Sequence, residues 1–235
     1  MAAKLLKPFR FGKDVCAFVT TRHSGNLSLF IGDSAKKVLN NRKRIARALH
    51  IPYNRLISAQ QVHKDRIVII KRLPISLRST DAMITDLPGI CLMLTTADCV
   101  PLLFYDPNKR VIAGAHAGWR GTILKIAQKT ARTMHKKFGS RLKDILVGFG
   151  PSIRPCCYEV GPEVSRKFGK SGRIHIDLRR ENKDQLVKIG IPSKNIYICR
   201  SCTMCNCDEY FSARASKSGT GRFGTGIMLI KSAKP

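Results

Sequence analysis

Apolar residues alternate with polar ones, or run without interruption, at 15–19, 66–71, 90–95, 101–105, 110–115, 145–149, 196–199 and 226–231, and each segment is predicted to be a strand. A helical period takes over beyond Ser34, which is placed to cap the first turn. Val38, Leu39, Ile45 and Leu49 fall on one face, and Lys36, Lys37, Lys43, Arg44 and Arg47 fall elsewhere. A second helix is predicted from Thr122 to about Phe138, burying Ile123, Ile126, Ala127 and Met134 and ending at Gly139. Shorter helices are predicted at 162–168 and 182–189. Strands come in groups with helices spaced irregularly between them, which predicts an α+β fold with mixed sheets rather than a strictly alternating parallel one.

Length and charge narrow this picture. The 235 residues, 43% hydrophobic, suffice for a sizeable core, and no linker or repeat divides them, so one domain over 1–235 is expected. Against 15 Asp and Glu stand 43 Lys and Arg, a net charge of +28 that concentrates phosphates, nucleotides or nucleic acid at the surface. The basic residues are scattered without a block or arm, and only 7% of residues are aromatic, so nonspecific RNA association is expected at most as a by-product. No run of eighteen apolar residues exists to span a membrane, and the first residues lack the apolar core of a signal peptide. Nine cysteines, an odd number, then read as thiols of a reducing cytoplasm, available for metal binding or reactivity. No obligate protein partner is implied.

Several motifs compete for that chemistry. GTGRFG at 219–224 spells a dinucleotide-binding fingerprint, but only 11 residues follow Gly224, too few for the helix and strand such a site needs. It is read as a glycine-rich turn into the last strand. Cys199, Cys202, Cys205 and Cys207 have gaps that suit zinc or an iron–sulfur cluster, although no second pair lies at a familiar distance. Cys156 and Cys157 sit in a Gly/Pro-rich turn and are expected to be buried and structural. TTADCVP (95–101) and AGAHAGWRG (113–121) each close a predicted strand, where polar side chains and free N–H groups converge on ligands. Cys99 and His116 can therefore share a site, and His63, just before another strand, adds a third N or S donor. Three such donors with an open fourth position suit catalytic zinc.

Taken together, SAQQVH, DAMIT, PGICLMLTTADCVPLLFYDP, AGAHAGWRG, GFGPSIRPCCYEVG, CT, FSAR and TGR resemble, in this order, the YfiH-type family, also called laccase-domain or polyphenol-oxidase-like proteins. Members of that family are described as purine nucleoside phosphorylases. The resemblance implies a metal, usually assigned as zinc, on His63, Cys99 and His116. It also implies cleavage of adenosine, inosine and methylthioadenosine with phosphate, deamination of adenosine, and a mixed α/β sandwich similar to the catalytic domain of cytotoxic necrotizing factor toxins. The chain departs from the family pattern at Lys64, where glycine is usual, at the turn His23-Ser-Gly, and at Ala213, where an aromatic residue is usual. Of the tail cysteines only Cys202 matches the shared pattern, so a metal cluster in the tail is not expected.

A zinc with these ligands lowers the pKa of bound water to about 7, as deamination at C6 of adenine requires, and Asp98 and Asp81 are both candidates to move the proton. Phosphorolysis asks for arginines to hold phosphate. Arg22, Arg120, Arg214 and Arg222 lie in family-like motifs, and Arg120 is the first choice because free N–H groups at a helix start are expected beside it. Three rivals remain: a cysteine hydrolase with Cys99 as nucleophile and His116 as base, a copper-dependent polyphenol oxidase, and a nonenzymatic RNA-associated protein.

Overall fold

Two β-sheets packed face to face carry the computed structural model, which describes residues 6–9, 11–216 and 219–230. The five-stranded sheet has the order β1 (Leu6–Phe9), β2 (Val15–Thr20), β13 (Phe223–Leu229), β6 (Cys91–Thr96) and β3 (Leu56–Ile57). The six-stranded sheet runs β12 (Ile196–Ile198), β9 (Leu146–Phe149), β7 (Val100–Asp106), β8 (Val111–Ala117), β5 (Ala82–Thr85) and β4 (Ile67–Ile69). Parallel pairs (β4 with β5, β9 with β12, β3 with β6) sit beside antiparallel ones, so both sheets are mixed. A separate antiparallel pair joins β10 (Glu159–Val160) and β11 (Ile174–His175).

Helices cover the outer faces. Helix α1 (Ala35–Ala48) lays Ile45, Ala46 and Leu49 against Phe18, Met93 and Met228 of the five-stranded sheet. On the other side, α3 (Ile126–Phe138) and α5 (Leu178–Lys188) bury Ile126, Met134 and Leu186 against Leu102, Phe104 and Ala113. Between the sheets, Leu103, Tyr105 and Ile112 meet Leu92, Leu94 and Ile227. Both faces of β7 and β8 are thus covered, which is why these strands are continuous apolar runs. A fully buried Leu103 contributes about 1.5–3 kcal/mol.

The α+β expectation with mixed sheets holds, and the eight predicted strands all form with no end moved by more than three residues. Lys231, in the last predicted strand, lies outside the described residues. The glycine-rich 219–224 turn does lead into β13. Ser34 caps α1 as expected, its hydroxyl accepting from the Lys37 N–H, although Asn41 and Arg42 are buried too because they bond the carbonyls of Asn26 and Leu27.

Three expectations need correction. The helix predicted from Thr122 is two: α2 (Trp119–Ile123) ends before Lys125, whose left-handed φ of 60° breaks the axis ahead of α3. Helix α5 starts a turn earlier than predicted because Asp177 caps it, accepting from the N–H groups of Arg179 and Arg180. The segment 162–168 forms as α4 (Pro162–Ser165) and a 3₁₀ turn. Strands β1, β3, β5, β10 and β11 carry no alternation of their own; they are two to four residues long and owe their pairing to neighbours brought by the fold. Among the described residues no helix is long and apolar enough to cross a membrane.

Candidate active site

Strands β7 and β8 set two donors side by side. Cys99 immediately precedes β7, and His116 sits in β8 opposite Pro101. His63 arrives from the 58–65 loop in a left-handed conformation, φ 62°. The ligand atoms of His63, Cys99 and His116 all lie within 4.8 Å of one another, and the two imidazoles meet edge to face with centroids 4.7 Å apart. His116 is buried, Cys99 half-buried and His63 exposed, so the group is open on the His63 side.

Asp81 organises this cluster. It begins the segment leading into β5, its side chain is fully buried, and its Oδ1 lies 2.9 Å from His116 Nδ1. Its two oxygens also accept the backbone N–H groups of Val62, His63 and Lys64. The carboxylate thus folds the His63 loop around itself, offsetting the left-handed strain, and fixes the His116 ring. Burial alone would raise its pKa, but the His116 hydrogen bond and these amides outweigh it and hold it below the ordinary value. Lys64 is not the residue with positive φ, so the glycine usual there is dispensable. Buried in this way, Asp81 does not reach the cleft as a free proton carrier.

Burial would push the Cys99 thiol up, but the His116 and His63 imidazoles beside it bring it down to about 6. Burial likewise disfavours charge on His116, yet the Cys99 thiolate and Asp81 push it up to about 9. One thiolate and two imidazoles form a donor set for a borderline-soft cation. Gly118 makes room for it: a Cβ there would stand 2.9 Å from Cys99 Sγ and 3.1 Å from His63 Cδ2.

The cluster forms one wall of a cleft of about 480 Å³. Other walls come from Phe30, Gln61, Asp98, Tyr158, Arg214 and Arg222. Asp98, at φ 85°, uses both oxygens: Oδ1 accepts from Thr203 Oγ1 at 2.6 Å and Oδ2 from the Arg214 N–H at 2.7 Å. Tyr158 is pushed up to about 12, first by burial, then by Cys99 and Asp98, with Arg214 and Arg120 opposing. Burial lowers the Arg222 pKa, while the nearby Cys99 and Asp98 favour its charge.

Of the four arginines predicted for phosphate, the structure brings Arg214 and Arg222 to the cleft wall. Arg22 is exposed elsewhere, donating to the Cys207 carbonyl and lying over the Phe211 ring. Arg120 is also exposed, its guanidinium stacked 4.2 Å from the Trp119 ring centroid, and the helix beside it has only five residues, too short for the anion site expected there.

Phe30, Gln61 and Tyr158 are cleft residues to which the sequence assigned no role. Gln61 exchanges hydrogen bonds with the Thr95 backbone, and Tyr158 follows the cysteine pair; their places in QQVH and PCCYEVG are the only signals the sequence carries for them. Ala213 lines the cleft where the usual aromatic ring would stand.

The cysteines regroup in a way their spacing did not reveal. Cys156 is exposed and Cys157 half-buried rather than buried, because their turn faces Cys202 and Cys205, and all four sulfurs lie within 4.8 Å of one another. Cys199 and Cys207 are not in this group.

Comparison with known proteins agrees with this architecture. Residues 16–230 match the family model described as multi-copper polyphenol oxidoreductase laccase. A purine nucleoside phosphorylase of Bacteroides thetaiotaomicron is 35% identical, with 93% of each chain covered. Adenosine deaminase RL5 from an unknown prokaryotic organism is 36% identical over 90% of this chain and 92% of its own. The crystal structure of the Bacillus licheniformis hypothetical protein YfiH superposes with a TM-score of 0.91 at 32% identity, covering 97% of both chains.

Proposed function

Because the chain belongs to the family described as multi-copper polyphenol oxidoreductase laccase, with relatives named purine nucleoside phosphorylase and adenosine deaminase, we propose that its cleft binds purine nucleosides and splits them with phosphate. The substrates we assign are adenosine, inosine and S-methyl-5'-thioadenosine, released as free base and ribose (or methylthioribose) 1-phosphate, with deamination of adenosine at the same site. The observation that carries this reading is the meeting of the His63, Cys99 and His116 donors with Arg214 and Arg222 in one cleft. We take residues 1–235 as one domain of this type, acting in the cytoplasm.

The metal we assign to the three donors is zinc, which supplies Lewis acidity and activates water near neutral pH. Asp81 accepts the His116 Nδ1–H and so presents Nε2 as the donor. Arg222 and Arg214 neutralise phosphate held against the anomeric carbon, and Arg120 adds charge from beside Tyr158. Phe30, 59% exposed at the cleft, offers a flat apolar face to the purine where Ala213 offers none. Tyr158, kept protonated, donates a hydrogen bond to the departing base. Asp98 positions the Thr203 and Arg214 segments rather than carrying the proton itself.

Chromatography of each nucleoside with and without phosphate tests the reading. Base and sugar 1-phosphate are expected only with phosphate, and Arg222→Ala is expected to raise the phosphate requirement about 10–100-fold, the value of a charge-assisted hydrogen bond of roughly 1.5–3 kcal/mol. Equal release without phosphate would make the enzyme a hydrolase, and no release from any nucleoside would end the assignment.

One specific observation favours a second reading. A Cys99 thiolate beside a His116 buttressed by Asp81 reproduces the nucleophile, base and orienting acid of a cysteine hydrolase, the chemistry of the toxin domains whose fold we take this one to resemble. Added zinc would inhibit such an enzyme and support the phosphorylase. Copper-dependent phenol oxidation draws on the family description alone, and three donors are too few for a multicopper set.

A further inference from the structure

We infer that Cys156, Cys157, Cys202 and Cys205 form a tetrathiolate site for a single zinc ion, apart from the nucleoside cleft, that staples together two loops of the cleft wall. The fold brings these residues together for a simple reason. Strands β9 and β12 are parallel, so the segments leaving their C-terminal ends, 150–158 and 199–205, emerge on the same side of the sheet. A bridge between Ser152 and Cys202 and a 3.2 Å hydrogen bond from the Thr203 N–H to the Ser152 carbonyl hold them in register.

Zn–S bonds of about 2.3 Å place the sulfurs of a tetrahedron about 3.8 Å apart. Here Cys156 and Cys205 have sulfurs 3.7 Å apart, Cys157 and Cys205 3.3 Å, and all four lie within 4.8 Å. All are free thiols. So compact a group encloses one ion; an iron–sulfur cluster, which distributes four thiolates over two or four irons, needs them spread further.

One further observation points to a charged, ligating state. Arg179, itself 5% exposed, donates to the Ser152 and Ser201 carbonyls at 3.0 and 3.1 Å, placing a buried positive charge beside a centre that would carry two net negative charges. Binding is redox-neutral: the four thiols give up their protons to solvent and the ion takes their place.

The site bears on the cleft through its loops. Thr203, between two of the ligands, donates to Asp98, and the Ile153 N–H donates to the Asp98 carbonyl at 2.9 Å. Tyr158 follows Cys157 directly and lines the cleft.

The test is elemental analysis of the full chain, purified anaerobically without chelator, beside the double variant Cys156→Ser/Cys205→Ser, whose two positions are exposed and leave no buried hole. The variant is expected to contain one zinc equivalent fewer than wild type, whatever the His63 site holds, so this result stands apart from the fate of the phosphorylase reading. Two measurements on wild type alone cover poor folding of the variant. Cobalt titration is expected to give the charge-transfer and visible bands of a tetrathiolate, and zinc is expected to protect these four cysteines from alkylation in a mass map. Equal zinc in both proteins would overturn the site, as would a disulfide among the four, iron with cluster absorption, or no tetrathiolate band.

Discussion

Cys99, immediately before β7, and His116, within β8, are held by neighbouring strands of a sheet buried on both faces, whereas Cys156, Cys157, Cys202 and Cys205 hang on loops joined by a single bridge. The first group is held by the protein's own contacts: the β7 and β8 ladder fixes the distance between the donors, and Asp81 fixes the His116 ring and the His63 turn. The second group has the sulfurs in place, but two of its four cysteines, Cys156 and Cys205, are exposed. A preorganised site can spend its ion on chemistry, and a loop site uses its ion to obtain order. On the reading we propose, the two arrangements divide the labour in one chain, the sheet presenting a reactive centre and the loops closing the wall beside it.

The comparison breaks most visibly at Cys99. Cys99→Ala removes the thiolate and is expected to take nucleoside turnover to the level of a protein-free blank and to empty the cleft of its metal, leaving the tetrathiolate cobalt spectrum unchanged. Retention of full metal content would show that the three donors are not the ligands. Next in size is Asp81→Asn, which preserves shape but loses the charge that orients His116. Activity or metal affinity should fall about 10–100-fold, as for other residues that orient a ligating histidine. If Asp81→Asn instead disturbed the four-cysteine site, the two regions would be coupled rather than divided.

How far each region could be read from the sequence follows from the same contrast. The apolar runs of β7 and β8 declare buried strands, and TTADCVP and AGAHAGWRG mark their ends, so Cys99 and His116 were identifiable in advance, with His63 added from QQVH before another predicted strand. The role of Asp81 was not, because the β5 and β8 pairing that brings it to His116 spans 35 positions and β5 carries no alternation. The break at Lys125 was hidden because the helical period of apolar residues continues across it. Cys202 and Cys205 were visible as a two-residue gap, but their partners were sought in the tail. The actual partners lie 48 and 49 positions from Cys205, where only the parallel pairing of β9 and β12 could place them.

The smallest expected effect is the sharpest test of that last point. By spacing, Cys199 and Cys207 belong with Cys202 and Cys205; by geometry they do not. Their structural work is done by the backbone: the Cys199 N–H donates to the Phe149 carbonyl, its carbonyl accepts from Arg179, and the Cys207 carbonyl accepts from Arg22. Serine preserves all of these bonds at positions that are half-buried and exposed. The double variant Cys199→Ser/Cys207→Ser should therefore keep wild-type zinc content and activity, with stability changed by no more than about 0.5 kcal/mol, or a melting shift of roughly 2 °C. Loss of one zinc equivalent in this variant would return the ligands to the tail and leave the Cys156 and Cys157 pair a bystander.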